Sequence, residues 1–356
     1  MSQPIPAPVL DALRRGLVIP AMPLALTADL RLDERRQRAL VRYYDAAGAG
    51  GLAVGVHTTQ FEIRDPEHAL FEPVLALAAQ ELDRADAARA VPMVRVAGLC
   101  GPTSQAVAEA AMARSLGYHA GLLSLAATGL ADDAARLDHC RAVAEVLPLV
   151  GFYLQRAVGG PILSHRFWRG FAAIDRVVAI KIAPFDRYRT LDVVRAVAES
   201  GRDDIALYTG NDDHIVLDLV TPYRFVVNGR PVERRVVGGL LGQWAVWTRR
   251  AVVLLDACHA LARSEAPIPM DLLRQSVALT DANAAIFDVS NDFRGCIAGL
   301  HLVLRRQGLL DDVRTLDPRA GLGPGQEAEI DRVCRDHADL NDDDFIAQHL
   351  DAWLRP

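Results

Sequence analysis

The chain has 356 residues, 51% of them hydrophobic and 24% charged, with a formal net charge of −6. This length exceeds that of a usual single domain but suits an α/β barrel, and the apolar content is enough for a large core. The acidic balance without a basic block argues against a nucleic acid as partner, and no apolar segment reaches the roughly 18 residues that a membrane span requires.

The N-terminal residues contain no continuous apolar stretch of signal-peptide length, and the five cysteines are scattered without a Cys-x-x-Cys spacing. Such thiols are typical of a reducing compartment, so we expect a cytoplasmic protein without disulfides or cysteine-bound zinc. The ten histidines form neither a His-x-His nor a His-Glu-x-x-His arrangement. The sequence therefore predicts no metal site.

Short apolar runs alternate with amphipathic segments along most of the chain. The predicted strands are residues 17–21, 51–55, 91–97, 120–125, 149–154, 177–182, 205–209 and an eighth run near 239–246. The predicted helices between them are residues 33–47, 66–86, 103–116, 132–147, 164–173 and 187–199. Because nearly all-apolar strands alternate with helices, we expect parallel strands that are covered on both faces. Eight such units predict an α/β fold, a (β/α)8 TIM barrel over residues 1–264.

A doubly wound open sheet is the alternative architecture. It usually has a glycine-rich phosphate loop after its first strand, whereas residues 20–24 read Pro-Ala-Met-Pro-Leu.

Two segments lie outside the eight units. Residues 224–233 have β-forming arms around Asn228-Gly229, which predicts an inserted hairpin. Because this hairpin precedes the eighth strand, we expect it at the N-terminal face of the barrel, where it would serve assembly or stability. Residues 265–356 are predicted to form a C-terminal helical extension, with the acidic run at 341–344 at a helix start.

Lys181 is the only lysine among 39 basic residues, and it lies in an apolar run at residues 177–183. A guanidinium stays charged, whereas a desolvated lysine amine can attack a carbonyl carbon and form a Schiff base. Near the end of the sixth strand, Lys181 would direct its amine at the mouth of the barrel, where such barrels have their active sites. The sequence therefore predicts a nucleophilic lysine. The alternative is a lysine whose stem merely packs on a surface.

Several motifs, taken in order, carry a resemblance to a known family. They are residues 19–21, 43–52, 151–154 (Gly-Phe-Tyr-Leu), 178–181 (Val-Ala-Ile-Lys), 209–212 (Thr-Gly-Asn-Asp), 283–287 and 295–300. In this order and spacing the chain resembles the dihydrodipicolinate synthase / N-acetylneuraminate lyase family over roughly residues 16–310.

The resemblance implies a class I aldolase-type lyase that acts on pyruvate or another 2-oxo acid. Its lysine, here Lys181, would form a protonated imine that serves aldol cleavage, condensation or dehydration without a metal or other cofactor. The resemblance implies that Tyr153, 28 positions earlier, is a phenol over the imine that passes protons. Packing at the rim of the core is the alternative for Tyr153. The resemblance further implies a substrate contact at Gly210 and a homo-oligomer, dimer or tetramer.

The loop after the second strand departs from the family pattern. The family usually has Gly-Thr-Thr-Gly-Glu, whose hydroxyls and amides hold the substrate carboxylate, whereas residues 55–61 read Gly-Val-His-Thr-Thr-Gln-Phe. Either the loop has shifted to use Thr58 and Thr59, or His57 and Thr58 have taken over the carboxylate. The alternative for His57 is a loop histidine without a role in binding.

Two further departures affect the substrate. A Pro-Tyr-Tyr that the family often has after strand four is replaced by residues 124–128 (Ser-Leu-Ala-Ala-Thr), and Arg156 lies out of register with the family's substrate-gripping arginine. The chain is therefore expected to act on a 2-oxo acid other than that of dihydrodipicolinate synthase. The alternatives are a keto-acid-binding sensor barrel with little or no turnover, and a metal-dependent hydrolase that uses His57 and Asp212.

Overall fold

The computed structural model describes residues 4–126, 128–264 and 266–355. Its strands are β1 (Val18–Pro20), β2 (Gly51–Val54), β3 (Val94–Leu99), β4 (Ala120–Leu123), β5 (Leu149–Leu154), β6 (Val177–Ala183), β7 (Ala206–Thr209), β8 (Tyr223–Val227), β9 (Arg230–Arg234) and β10 (Val236–Leu241). Eight of them form one parallel sheet in the order β1-β10-β7-β6-β5-β4-β3-β2. A parallel bridge between Ala21 and Ala53 joins the two ends of this order, so the sheet closes. The predicted TIM barrel is confirmed.

The helices surround this barrel and continue beyond it. They are α1 (Ala7–Arg15), α2 (Glu34–Ala47), α3 (Phe71–Asp86), α4 (Thr103–Ser115), α5 (Asp133–Ala144), α6 (His165–Ala172), α7 (Arg187–Ser200), α8 (Ile215–Val220), α9 (Thr248–Ser264), α10 (Met270–Ile286), α11 (Cys296–Arg306), α12 (Gln326–Asp336) and α13 (Asp343–Trp353). Within the described ranges, every helix is too short or too polar to span a lipid bilayer.

The largest differences from the predicted element boundaries are at α3 and β10. Helix α3 begins at Phe71 rather than near residue 66, because Ala69 has a φ of 48° that interrupts a helix before that point. The eighth barrel strand, β10, begins and ends earlier than the predicted run, and residues Gln243–Ala245 form a short 3-10 helix instead. The apolar run there continues past the strand, so composition alone did not reveal its end.

Successive side chains on the barrel strands face opposite layers. Phe152 and Leu154 of β5 belong to the cluster that fills the barrel interior. Tyr153 of the same strand and Ile182 of β6 belong to the cluster between the strands and the helices. One step along a strand therefore moves a side chain from the interior to the helix layer.

Helix α1 closes the N-terminal end of the barrel. Val9 and Leu13 of this helix are buried with the interior cluster. The Tyr208 hydroxyl of β7 donates a 2.7 Å hydrogen bond to the carbonyl of Leu13. With this end covered, the opposite end of the barrel is the place for a cavity.

The predicted hairpin is confirmed. Strands β8 and β9 pair antiparallel around Asn228 and Gly229, whose φ angles are 50° and 75°. Both positive values suit the tight two-residue turn that Asn-Gly favours. The hairpin joins α8 to β10, at the N-terminal end of the latter. Its role in assembly stays a prediction.

The C-terminal region is helical and packs on the barrel. The Tyr43 hydroxyl of α2 donates to Asp342 Oδ2, just before α13, at 2.8 Å. The Arg42 guanidinium of α2 donates to the carbonyl of Trp353 at 2.8 Å. The predicted helix start at residues 341–344 agrees with α13. Glu265, at which the C-terminal region was predicted to begin, lies outside the described residues.

Candidate active site

A cavity lies at the C-terminal ends of the barrel strands. It is lined by Ala21, Val56, His57, Thr58, Phe152, Leu154, Gln155, Val158, Lys181, Ala183, Phe185, Gly210, Asp212, Gly242, Phe287, Phe293 and Cys296. The cavity has a volume of about 60 Å³. That is room for a molecule of a few non-hydrogen atoms.

Lys181 projects into this cavity from β6. Its neighbours Ile180 and Ile182 pack outward against the helices, so the lysine faces the interior. Its side chain is only 8% exposed, and its Nζ lies 4.6 Å from the centre of the Phe152 ring. Burial lowers the pKa of Lys181 to about 8, although the charges of Asp212 and Cys296 act in the opposite direction. The structure therefore places Lys181 in the cavity at the barrel mouth, and its role as nucleophile stays a prediction.

Gly210, in the turn after β7, packs against the stem of this lysine. A Cβ on Gly210 would lie 2.6 Å from Lys181 Cε and 2.8 Å from Ala183 Cβ, closer than such atoms approach. Its backbone N–H donates to the Ile182 carbonyl at 2.7 Å, which ties the turn to β6. Gly210 therefore lines the cavity, and its lack of a side chain leaves space for Lys181; its contact with substrate stays a prediction.

Tyr153 does not reach the cavity. Its hydroxyl donates to the Leu163 carbonyl at 3.1 Å and accepts from the Leu163 N–H at 3.3 Å. Its ring packs on Trp168 of α6, with centroids 5.3 Å apart. The prediction that Tyr153 lies over the lysine is wrong, because strand alternation turns it into the helix layer.

Phe152 has the position that was predicted for the phenol. In the pairing of β5 with β6, Phe152 lies opposite Lys181, whereas Tyr153 lies opposite Ile182. The chain thus presents an aromatic face without a hydroxyl to the lysine. Such a ring attracts a cation but transfers no proton.

The threonines after β2 have their protons committed to the protein. Thr58, which lines the cavity, donates to the Ala21 carbonyl at 2.7 Å, and Thr59 donates to the Met22 carbonyl at 2.7 Å. Thr59 also accepts from the Gly55 N–H at 3.0 Å. Because a hydroxyl has one proton, neither side chain donates to a substrate carboxylate while these hydrogen bonds are in place, and the substrate-binding role of Thr58 and Thr59 stays a prediction. They fasten the loop to the end of β1.

His57 is, with Thr58, one of two polar side chains that this loop contributes to the cavity. Burial, and secondarily the charge of Lys181, lowers the pKa of His57 to about 4. The imidazole is therefore neutral at pH 7 and has one N–H to donate. Of the residues predicted to bind a carboxylate, His57 is the one whose surroundings suit that role.

Asp212 is a cavity residue that the sequence suggested only for a metal-dependent alternative. Its Oδ1 accepts from the Gln243 N–H at 3.1 Å, and its carbonyl accepts from Asn283 Nδ2 at 2.7 Å. Burial raises the pKa of Asp212 to about 7, against the lowering effect of Lys181. Among the described residues, no cluster of three or more histidine, cysteine, aspartate or glutamate side chains could hold a metal.

Three cavity residues come from the C-terminal region, which the sequence did not connect with the site. They are Phe287, Phe293 and Cys296. Arg156, in contrast, is exposed and does not line the cavity. The segment at 124–128 has no phenol in its sequence, and its Ala127 lies outside the described residues.

A second cavity continues outward from the first. The two cavities share His57, Val158, Phe293 and Cys296. The outer cavity has a volume of about 230 Å³. The outer cavity also has the exposed Arg294 on its wall. The inner cavity thus has room for a small molecule, and the outer one for a larger second group.

No protein-family model and no curated protein matches the sequence. Solved structures do match. A dihydrodipicolinate synthase from Oceanobacillus iheyensis has 18% sequence identity and a TM-score of 0.72, over 93% of this chain and 99% of that one. An N-acetylneuraminate lyase from Fusobacterium nucleatum has 15% identity and a TM-score of 0.67, over 91% and 99%.

A third similar structure is a prophage protein of the dihydrodipicolinic acid synthase family from E. coli K12, in complex with pyruvate. It has 16% identity and a TM-score of 0.71, over 91% of this chain and 99% of that one. The resemblance drawn from the sequence motifs is confirmed for the fold: this chain has the barrel and helical tail of the dihydrodipicolinate synthases and N-acetylneuraminate lyases.

Proposed function

We propose that the chain is a Schiff-base-forming lyase of the dihydrodipicolinate synthase / N-acetylneuraminate lyase family, which acts on pyruvate or another 2-oxo acid. The observation that carries this proposal is the one lysine of the chain, buried in the cavity at the barrel mouth with a lowered pKa. The pyruvate complex of a protein with this fold supports it.

In the proposed reaction the neutral Lys181 amine attacks the keto carbon of the substrate. The resulting carbinolamine loses water, and the protonated imine then withdraws electrons from the neighbouring carbon, so no metal or organic cofactor is required. The Phe152 ring, 4.6 Å from Nζ, stabilises the cation, and the His57 N–H donates to the carboxylate. Aldol cleavage, condensation and dehydration all proceed from this imine.

The two cavities suggest how the substrate is divided. A 2-oxo acid of about six non-hydrogen atoms suits the inner cavity, with its 60 Å³. The aldehyde portion would occupy the outer cavity, where Glu62, Arg294 and Asp317 can form hydrogen bonds with a hydroxylated substituent. The proposal of a substrate other than that of dihydrodipicolinate synthase rests on the departures in the sequence: the altered loop at residues 55–61, the lack of a phenol at residues 124–128, and Arg156, which does not line the cavity.

Borohydride trapping tests the proposal directly. The protein is incubated with pyruvate, reduced, digested and mapped by mass spectrometry. We expect the reduced pyruvate adduct on the peptide that contains Lys181, because the chain has no other lysine. An unmodified Lys181 peptide with every 2-oxo acid tried, in a protein that remains folded, would overturn the proposal.

The rate of imine formation should increase with pH to a plateau, and it should reach half of that plateau near the Lys181 pKa of about 8. Only the neutral amine attacks, so at two pH units below that midpoint the rate should be roughly a hundredfold lower than its plateau. Samples are incubated with pyruvate from pH 6 to pH 10 and all reduced at one fixed pH. A midpoint near 10.5, the value of an ordinary lysine, would contradict the desolvated environment of Lys181.

Gly210→Ala should slow pyruvate trapping by roughly tenfold to a hundredfold, because the new Cβ displaces the nucleophile by a fraction of an ångström or more. The clash lies 2.6 Å from Lys181 Cε. The matched control is Gly321→Ala, whose Cβ meets no heavy atom within 4 Å. Equal trapping rates in the two variants would show that the Cβ at position 210 does not displace the Lys181 side chain.

A keto-acid sensor with little turnover is the second candidate function. The presence of Phe152 opposite Lys181 favours a sensor, because this position lacks a phenol that could transfer protons. Such a barrel would trap pyruvate but would not exchange the methyl protons of pyruvate with solvent. Homo-oligomerisation to a dimer or tetramer and a cytoplasmic location stay predictions, and sedimentation velocity tests the first of them.

A further inference from the structure

The proposed chemistry requires a group that takes a proton from the substrate carbon next to the imine. Phe152 cannot do this, and Tyr153 faces the helix layer. Among the described residues that line the cavity, three side chains besides Lys181 can exchange a proton with a carbon acid: His57, Asp212 and Cys296. The choice among them follows from geometry and charge.

Within the described residues, only one of the two carboxylate oxygens of Asp212 has a hydrogen-bond partner. The Gln243 N–H binds Oδ1 at 3.1 Å, and Asn283 anchors the backbone carbonyl at 2.7 Å. Within the described ranges, Oδ2 has no hydrogen-bond partner, although the side chain lines the cavity. The turn that carries Asp212 is pressed against the lysine stem at Gly210. One carboxylate oxygen is therefore free to act where the lysine acts.

The charge balance favours a carboxylate over the other two groups. A proton that moves from the imine adduct to Asp212 converts a cation and an anion into two neutral groups, which a cavity with little water favours. The same transfer to His57 only moves the positive charge, and the lowered pKa of His57 shows that this imidazole resists protonation. Burial raises the pKa of the Cys296 thiol well above its usual range, so it is protonated and does not act as a base.

We propose that Asp212 is the catalytic acid–base residue of this chain, in the role for which Phe152 has no hydroxyl. This inference rests on the proposed Schiff-base function. In the forward step Oδ2 takes a proton from C3, the C3–H electron pair becomes the C2–C3 double bond, and the imine π electrons return to the lysine nitrogen. When the enamine then attacks an aldehyde, the C2–C3 π electrons form the new bond, and the aldehyde oxygen receives the proton from Asp212.

The raised pKa of Asp212 suits this task, since a general acid–base works best when its pKa lies near the working pH. Lys181 and Asp212 also influence each other. The Asp212 charge acts to raise the pKa of Lys181. Replacing that charge by an amide should therefore leave more of the amine neutral and preserve imine formation.

The test separates imine formation from proton transfer. Wild type and Asp212→Asn are compared for borohydride trapping with pyruvate and for exchange of the pyruvate methyl protons in D2O, followed by proton NMR. We expect trapping to stay within about threefold and exchange to fall by about 10²–10⁴-fold. Asp213→Asn is the matched control, because this neighbouring carboxylate is exposed and does not line the cavity. It should exchange like wild type.

The two measurements distinguish an error in the proposed Schiff-base function from an error in the role of Asp212. If the wild-type protein forms no adduct, the proposed Schiff-base function is wrong. A wild type that forms the adduct overturns the inference alone if it does not exchange, if Asp212→Asn still exchanges normally, or if Asp213→Asn loses exchange equally. Should Asp212→Asn fail to fold, Asp212→Ser takes its place, because its hydroxyl can still accept from the Gln243 N–H.

Discussion

Lys181→Arg should abolish the reduced pyruvate adduct and lower any turnover by on the order of 10³-fold or more. The substitution keeps the positive charge and can keep the contact with the Phe152 ring, because a guanidinium also stacks on aromatic faces. It removes the ability to lose a proton and attack a carbonyl. The measurement is peptide mapping after borohydride reduction, with circular dichroism to verify the fold.

A lysine placed elsewhere is the control for this experiment. Arg274 has a side chain that is 74% exposed on α10. The double variant Lys181→Arg, Arg274→Lys therefore has one lysine in water, with an ordinary pKa and no cavity around it. We expect no adduct at position 274. Efficient trapping there would mean that any lysine suffices and that the surroundings of Lys181 contribute nothing.

Glu109→Ala should reduce the free energy of unfolding by about 3–5 kcal/mol, the cost of leaving a buried charge without its partner. The Arg64 and Glu109 side chains are 9% and 8% exposed, and Arg64 Nε lies 2.8 Å from Glu109 Oε1. Arg64 also donates to the carbonyls of Gly55 and Gly98 at 3.2 and 2.9 Å, which joins the loop after β2 to β3. Loss of the carboxylate leaves this guanidinium buried and poorly directed.

Urea denaturation checks this prediction, with Asp138→Ala as its control. Asp138 pairs with Arg141 across exposed side chains, so its loss should cost no more than about 1 kcal/mol. The loop that Arg64 fastens carries His57, and we therefore also expect weaker pyruvate binding in Glu109→Ala. Equal stabilities for the two variants would show that the buried pair contributes nothing.

The sequence was sufficient for features that depend on local pattern. The Asn228-Gly229 turn predicted its hairpin, because only positive φ angles close a two-residue loop of this kind. The apolar run around Lys181 predicted a buried strand, and the alternation of strands and helices predicted the barrel. Each of these follows from residues that are near one another in the chain.

The sequence was insufficient where a feature depends on distant contacts or on a single step of register. Tyr153 and Phe152 are neighbours in an apolar strand, and the sequence did not show which of them faces inward. The pairing of β5 with β6 decided it. The hydroxyl protons of Thr58 and Thr59 are taken by carbonyls at the end of β1, which lie 36 or more positions earlier. Contacts at that range leave no local pattern.

The C-terminal contribution to the cavity has a consequence for how the protein is made. Lys181 emerges from the ribosome long before Phe287, Phe293 and Cys296, which complete the wall around it. Until those residues pack over the mouth, part of the cavity wall is missing, and the amine is more open to water. The full enclosure of Lys181 therefore requires the C-terminal region as well as the barrel.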